Sequence, residues 1–455
     1  MSIKIAKPFK KNTVEDYINA ALETEKWISE NVVETDSGIV WKFSPETDKF
    51  NDAPLTQQKS WYGGAAGIGF FYLRLYKVTK DAKYLAVSEK AAANIIATYE
   101  GASLYDEKGK GSQIGIATGF YNGPAGQAFL VQLLYEETGK KEYKEFVDKV
   151  NADILGAITV TGDTATWSGA LGIISDGGLV LYLADQYERT KDEKIVELLG
   201  KVGNYYLTKE EKVGDEGSRY YAMDTVDFGL GENGYFPNFF YGTAGTGYVL
   251  AKVYEVTKDE RFLTASKNAA KYVISVSDVN EDGTAALACY NIPYKQDIYY
   301  LGMCQGPVGS TRLFYKLYEL TGDELYKEWV IKLTNGIIEA GAPAKHSEGY
   351  WHTYCYCCGA AGMLEHFLHV YHFTGDKKYY DYALESADVL LRDSFILDDK
   401  RRWYTRWTRL IPGDVESYTG LYHGTAGCAS SLVVLFAELN GIKDLPEFLE
   451  NPYKK

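Results

Sequence analysis

The stretch GGAAGIGFFYLRLY, from Gly63 to Tyr76, opens on glycine and is apolar around nearly every side of the helix it would form. The phrase returns as NGPAGQAFLVQLLY from Asn122, YGTAGTGYVLAKVY from Tyr241, QGPVGSTRLFYKLY from Gln305, CGAAGMLEHFLHVY from Cys358 and HGTAGCASSLVVLF from His423. A degenerate copy, ISDGGLVLYLADQY, begins at Ile174 and keeps only the final glycine. Aligned on that glycine, the copies fall at Gly67, Gly126, Gly178, Gly245, Gly309, Gly362 and Gly427, spaced 52 to 67 residues apart. Seven copies in one register mark a repeat architecture, which has to be read before any domain boundary.

A second pattern accompanies the first. TKDAKYLAVSEKAAANIIATY, KDERFLTASKNAAKYVISV and GDKKYYDYALESADVLLRD each follow a glycine phrase, and VEDYINAALETEKWISENV precedes them all. These segments carry one polar face. Helices apolar all round have to be buried, and one-faced helices cover them. The expected fold is therefore all-α: an (α/α)7 toroid of seven inner helices ringed by seven outer ones. Length alone would suggest about three domains of roughly 150 residues; the repeats predict instead one toroid domain over residues 1–455. The glycines open the inner helices, where chains converge and backbones approach closely. The loops before those helices share one end of the toroid, its mouth.

Composition narrows the function. The chain has 48 Lys and Arg against 62 Asp and Glu, a net charge of −14, which argues against a phosphate-backbone partner. No apolar run approaches the ~18 residues of a membrane span. The basic start MSIKIAKPFKKNTVEDY lacks the apolar core of a secretory signal, so a cytoplasmic protein is expected, with its six cysteines as thiols, metal ligands or catalysts rather than disulfides.

Three of those cysteines fall at the mouth. Cys304 lies two residues before Gly306, Cys357 two residues before Gly359, and Cys358 is beside it. Zinc takes soft nitrogen and sulfur ligands, and a catalytic zinc takes three from the protein and keeps a fourth position open. Cys304, Cys357 and Cys358 supply that count; buried inert thiols or a disulfide are the plainer alternatives. Cys289, Cys355 and Cys428 fit no such register and read as packing, although Cys355 is near enough to be a rival ligand. At the position of Cys358 other repeats carry Asn122, Tyr241, Gln305 and His423. His423, in the neighbouring repeat, is open as a fourth ligand, a proton donor or a hydrogen-bonded wall residue. His366, His369 and His372 run along an inner helix away from its glycine end and read as core. Asp398 to Leu410, DDKRRWYTRWTRL, reads as a solvated loop, with a peptide-docking cover over the mouth as the sharper alternative.

Glycine-opened inner helices, Cys304 before the fifth phrase and Cys357-Cys358-Gly359 before the sixth resemble the lanthionine synthetase C-like (LanC-like) cyclases over nearly the whole chain. Members usually carry Cys-His-Gly at the sixth phrase; the Cys-Cys-Gly here is similar to a three-cysteine subtype. The resemblance implies zinc held by Cys304, Cys357 and Cys358. It also implies Michael addition of a peptide cysteine to dehydroalanine or dehydrobutyrine, which forms a thioether ring. Zinc holds the incoming thiol as a thiolate near neutral pH, and a third thiolate ligand makes that sulfur more nucleophilic. An acid then protonates the enolate carbon. The family's fourth phrase begins His-Gly, whereas this chain has Tyr241-Gly242, and Asp176 is a poor substitute for the family's early acidic residue. Tyr241 and His423 are the available proton carriers. The implied partners are a cysteine-containing peptide or another thiol, and a separate dehydratase.

The leading expectation is thus a zinc-dependent peptide-modifying enzyme. Two alternatives stand beside it. A carbohydrate-active α/α toroid would use paired carboxylates and an aromatic floor, and the 39 Tyr and 8 Trp favour it. A zinc-stabilised binding protein without catalysis gains from the replacement at Tyr241.

Overall fold

The structure, a computed structural model, describes residues 12–47, 58–101, 119–221, 234–292, 298–351, 353–406 and 413–453. The described residues form fourteen α-helices in two concentric sets. The inner set is Ala65–Thr79, Pro124–Thr138, Asp176–Thr190, Thr243–Thr257, Pro307–Thr321, Ala360–Thr374 and Thr425–Leu439, each 15 residues long. The outer set is Val14–Glu30, Ala82–Ala97, Lys141–Gly156, Glu193–Leu207, Glu260–Ser275, Glu324–Glu339 and Lys377–Arg392. The expected toroid of seven inner and seven outer helices is the observed fold.

Burial follows the two hydrophobic patterns. Every residue from Ala65 to Leu75 of the first inner helix is buried. In Lys377–Arg392 only Tyr379, Ala383, Ser386, Ala387, Val389 and Leu390 are, one face of an amphipathic helix. Inner and outer helices of a repeat are joined by a tight turn. The inner helix ends on a left-handed residue such as Lys80 or Gly322, and an aspartate such as Asp81 or Asp323 caps the next helix through a backbone N–H. The first outer helix, Val14–Glu30, packs on the last inner helix, Thr425–Leu439, and so closes the ring.

Six short antiparallel hairpins, such as Thr159–Thr161 with Thr164–Thr166, lie between outer helices and the inner helices that follow. Strands of two to four residues are too short to leave a periodic signal, and the sequence reading did not anticipate them. One such hairpin corrects the reading of Asp398 to Leu410 as a solvated loop. Lys400–Arg402 pairs with Phe395–Leu397, Trp403 is 1% exposed and donates its indole N–H to the Leu390 carbonyl, and Arg401 and Arg402 pair with Glu23 and Glu46. Apolar burial and ion pairing hold this part of the segment against the outer layer; residues 407–412 lie outside the described ones.

The register glycines do what close convergence requires. A Cβ on Gly245 would sit 1.8 Å from the Phe239 carbonyl oxygen, and on Gly309 2.0 Å from that of Met303. The same atom would also meet the neighbouring repeat: Trp61 for Gly126, Phe239 for Gly309 and, across the ring closure, Leu421 for Gly67. Among the described residues no helix is long and apolar enough to cross a membrane.

Gly427→Ala is accordingly expected to lower stability by roughly 1–3 kcal/mol or more, the overpacking range, because its Cβ would lie 1.8 Å from the Leu421 carbonyl oxygen. Gly200, inside the outer helix Glu193–Leu207 with nothing near its Cβ position, is the control. Gly200→Ala should raise stability by about 0.5–1 kcal/mol. Thermal melts read both, and equal behaviour of the two variants contradicts the packing account.

Candidate metal centre

Five residues before each register glycine stand Tyr62, Tyr121, Ile173, Phe240, Cys304, Cys357 and Tyr422. Their peptide groups link the repeats. Tyr62 N–H donates to Tyr121 C=O (2.8 Å), Phe240 to Cys304 (2.7 Å), Cys304 to Cys357 (3.2 Å), Cys357 to Tyr422 (2.8 Å) and Tyr422 back to Tyr62 (2.8 Å). Five of the seven junctions carry this bond between equivalent residues. A sixth, from Ile174 to the Phe240 carbonyl, is one residue out of register, as the degenerate third repeat would suggest. The Cys304–Cys357 junction is therefore fixed by backbone before any side chain is considered. Gly302 lets the fifth loop settle on the sixth, since a Cβ there would lie 2.5 Å from Cys358 Cα.

The three sulfurs gather as a result. Those of Cys304, Cys357 and Cys358 all lie within 4.8 Å of one another, with Cys304 Sγ 3.4 Å from Cys358 Sγ. Zinc with bonds of about 2.3 Å spaces tetrahedral sulfurs about 3.8 Å apart, so the donor set fits the ion in type and spacing. Cys304 and Cys357 are buried and Cys358 half-buried. Hydrogen bonds from Cys357 and then Cys358 pull the Cys304 thiol well below its ordinary range. The same bonds push Cys357 and Cys358 up, with burial adding to both. Within the cluster the proton is therefore held less tightly at Cys304 than at Cys357 and Cys358.

The inner helices contribute too. Their N-caps are six glycines and Ser175, none with a side-chain capping bond. The positive ends of the inner helices therefore face the mouth without an intervening carboxylate or hydroxyl cap, which favours thiolate over thiol there.

Tyr241 lies beside the cluster. Burial first, then the charge of Cys304, Cys357 and Cys358, raises its hydroxyl well above the ordinary tyrosine range. His423 meets the neighbouring thiol Cys355, its Nδ1 lying 3.9 Å from Cys355 Sγ. Burial lowers its pKa, but the charge and hydrogen bond of Cys355 outweigh that and the net shift is upward. Cys355 in turn is held down to about 6, first by a hydrogen bond with Cys358 and then by His423, against burial. The thiol read as packing is thus a neighbour of the cluster, as its sequence proximity had allowed.

The sequence reading missed Tyr62. Its hydroxyl acts to lower the Cys357 thiol, and its own proton is held tightly by burial and by the charge of Cys357 and Cys358. It sits five residues before Gly67, in the same register as Cys304 and Cys357, and that register was the available signal. Gln305, at the Cys358 position of the fifth repeat, is buried with neither end of its amide hydrogen-bonded.

Other expectations resolve as packing. Cys289 contacts Asp278, and Cys428 donates to the Tyr354 carbonyl. None of the six cysteines is in a disulfide. His366, His369 and His372 turn to Thr334, Asn451 and Glu438 respectively, three separate neighbours. Burial lowers His366 to about 3 and keeps it neutral. Asp176 is a loop clamp, accepting from the hydroxyls of Thr166 and Ser168 and the N–H groups of Trp167 and Ser168.

Comparison with known proteins agrees with the fold. The family model described as "Lanthionine synthetase C-like protein" matches residues 56–446. Nisin cyclase superposes with a TM-score of 0.60 at 16% identity, over 85% of this chain and 90% of that one. The Lin0763 protein from Listeria innocua gives 0.51 at 14%, over 93% and 98%. An α-1,6-mannanase from Salegentibacter sp. HEL1_6 gives 0.47 at 12%, over 94% and 100%. At these identities the first two show the fold, and the third carries no argument. No curated protein sequence matches the chain.

The protonation of the cluster makes a measurable statement. Because Cys357 and Cys358 hold their protons more tightly than ordinary thiols and metal ligation requires deprotonated sulfur, zinc uptake at pH 7 should release protons to the buffer. Calorimetric titration in buffers of different ionisation enthalpy reads that release, and none at all contradicts the assignment.

Proposed function

The chain belongs to the lanthionine synthetase C-like family, and from that premise we propose that it is a zinc-dependent, peptide-modifying enzyme. In this reading it adds the thiol of a peptide cysteine to a dehydroalanine or dehydrobutyrine residue. The observation that carries the reading is the convergence of the Cys304, Cys357 and Cys358 sulfurs within 4.8 Å at the mouth. These three would hold the zinc, which when bound supplies the positive charge that keeps an incoming thiol ionised near neutral pH.

The chain's own groups supply the rest. As the substrate sulfur bonds to Cβ of the alkene, the π electrons move toward the adjacent carbonyl, and the resulting enolate needs a proton at Cα. Tyr241 is assigned that role. Its hydroxyl stays protonated because burial and the neighbouring thiols disfavour phenolate, and it recovers its proton from solvent afterwards. His423, which holds a proton more readily than an ordinary histidine, is the second candidate. Tyr62 acts to lower the Cys357 thiol and so tempers the charge of that sulfur. The substrate alkene has to be made by dehydration of serine or threonine beforehand, which implies a separate dehydratase as partner.

The carbohydrate-active alternative loses its support from the aromatic count. Tyr121, Phe240, Tyr356 and Tyr422 are at most 1% exposed and pack against one another, so these rings offer no open floor for a sugar.

Three outcomes test the proposal. Purified protein should contain one zinc per chain, and the Cys304→Ala, Cys357→Ala double variant should lose it while remaining folded. Full zinc retention there removes the assignment. Tyr241→Phe should keep zinc and lower turnover roughly 10²–10⁴-fold, the span of general-acid effects, in an assay of thioether formation from a peptide bearing both cysteine and dehydroalanine. Rates within a few-fold of native, with loss in His423→Ala, pass the acid role to His423. No product above the uncatalysed rate with native protein, across several peptides, leaves the non-catalytic zinc-binding reading in its place.

A further inference from the structure

The C-terminal segment Leu445–Tyr453 enters the toroid axis from the end opposite the mouth. Leu449 and Asn451 border a charged cavity of about 240 Å³ there, with Asp185, Lys252 and Lys316 from the last turns of inner helices. Arg74, buried in the first inner helix, holds the segment. Its Nε donates to the Pro446 carbonyl at 3.0 Å, one amino group pairs with Glu365 at 3.1 Å, and the guanidinium lies 4.8 Å from the Phe448 ring. Asn451 adds a contact of 3.1 Å to His369. The family match ends at residue 446, so Glu447 to Tyr453 lie beyond it.

The segment reaches the underside of the mouth. The Phe448 ring stacks on Tyr356 with centroids 4.0 Å apart and meets Tyr422 at 5.4 Å and Trp61 at 6.4 Å. Glu450 is fully buried and accepts a 2.6 Å hydrogen bond from the Tyr422 hydroxyl. Tyr422 is the residue through which the backbone ring passes from Cys357 to Tyr62. Its carbonyl accepts from Cys357 N–H, its N–H donates to the Tyr62 carbonyl, and its ring stacks on that of Tyr62 at 5.3 Å. Tyr62 leads back to Cys357, whose thiol its hydroxyl acts to lower. A burial cost attaches to the Glu450 carboxyl, whose second oxygen has no hydrogen-bond partner. The apolar segment packing alone does not require a carboxyl at that point.

We propose that Leu445–Tyr453 is the floor of the metal centre and that Glu450 is a positioning residue, setting the Cys357 loop through Tyr422. This rests on the reading that Cys304, Cys357 and Cys358 hold zinc. Groups that orient metal ligands from outside the ligand set typically change affinity 10–100-fold when removed, and Glu450 acts two contacts from Cys357.

The test compares four variants of the full chain: Tyr422→Phe, Glu450→Ala, Glu450→Gln and Asn451→Ala. Zinc affinity is measured by competition with a chromogenic chelator, together with the visible spectrum of the cobalt-substituted protein and the melting temperature. Tyr422→Phe and Glu450→Ala should weaken zinc about 10–100-fold and shift the cobalt bands. Glu450→Gln, which keeps an oxygen to accept from Tyr422, should stay within about three-fold of native. Asn451→Ala should lower the melting temperature without weakening zinc. Unchanged affinity in both Tyr422→Phe and Glu450→Ala overturns the proposal, and so does equal weakening in Asn451→Ala, which would make the effect one of general stability. A native protein that takes up no zinc refutes the zinc reading instead. The floor is then decided by maleimide labelling of Cys357 and Cys358: a roughly ten-fold faster rate in Tyr422→Phe, but not in Asn451→Ala, supports it, and equal rates overturn it.

Discussion

The structure depends on how closely seven chains pass one another at the mouth. Each inner helix begins where its own loop carbonyl already fills the space a Cβ would need, and at all but Gly362 a residue of an adjacent repeat crowds it as well. Only glycine admits that approach, and once it is made the peptide groups five residues upstream fall into bonding range across the junctions. Those bonds are not what holds the toroid together. Five backbone hydrogen bonds at a net ~0.5–1.5 kcal/mol each are small beside the burial of the inner helices, whose apolar side chains form one contiguous core. The bonds determine position instead. Burial is non-directional and would tolerate inner helices displaced along their axes; the ring would not.

From that constraint the chemistry of the mouth follows. Two adjacent ring positions happen to be cysteine, Cys304 and Cys357, and the backbone hydrogen bond from Cys304 N–H to the Cys357 carbonyl brings their side chains together. A third thiol one residue on completes the set. The charge that such a cluster accumulates meets compensating features already present for structural reasons. Inner helices begin there without side-chain caps, so their N-terminal dipoles oppose the cost of holding thiolate in a buried site. Tyr62, a ring residue itself, acts to lower the Cys357 thiol. The overall charge of −14 therefore says little about this locality, where the nearest fixed dipoles are positive.

The toroid was legible because its signal is repeated: a helix apolar all round, a glycine at one fixed place and an amphipathic partner, recurring through the chain. The three clustered thiols were legible for the same reason, since register converts sequence position into position around the mouth. Features outside the repeat were not. Tyr62 was in register, yet an aromatic at a ring position reads as core until its hydroxyl is seen on a sulfur. Cys355 lies between register positions, and its contact with His423 depends on how two loops cross. The Asp398 to Leu410 segment carries charges that a solvated loop would show, and only the packing of Trp403 and the pairing of Arg401 and Arg402 with Glu23 and Glu46 reveal an anchored hairpin. Composition alone does not separate the two, because the same residues serve solvation, burial and ion pairing.

The replacement at Tyr241 is best understood together with the third cysteine. A catalytic zinc needs one position free, whereas a fourth strong donor closes the site into a structural one. With Cys304, Cys357 and Cys358 as the proposed ligands, a histidine at position 241 would stand next to the metal with a neutral, ligating nitrogen at pH 7. A tyrosine in that place can bind only as phenolate. Burial and the adjacent thiols hold its proton well above the ordinary range, so it competes poorly for the metal while remaining a hydrogen-bond donor. His423, the imidazole nearest by register, has its Nδ1 3.9 Å from Cys355 Sγ. Under the proposed function, the arrangement would keep three soft donors together, place a protonated hydroxyl beside them and leave the fourth position to an incoming sulfur, the condition thiol addition requires.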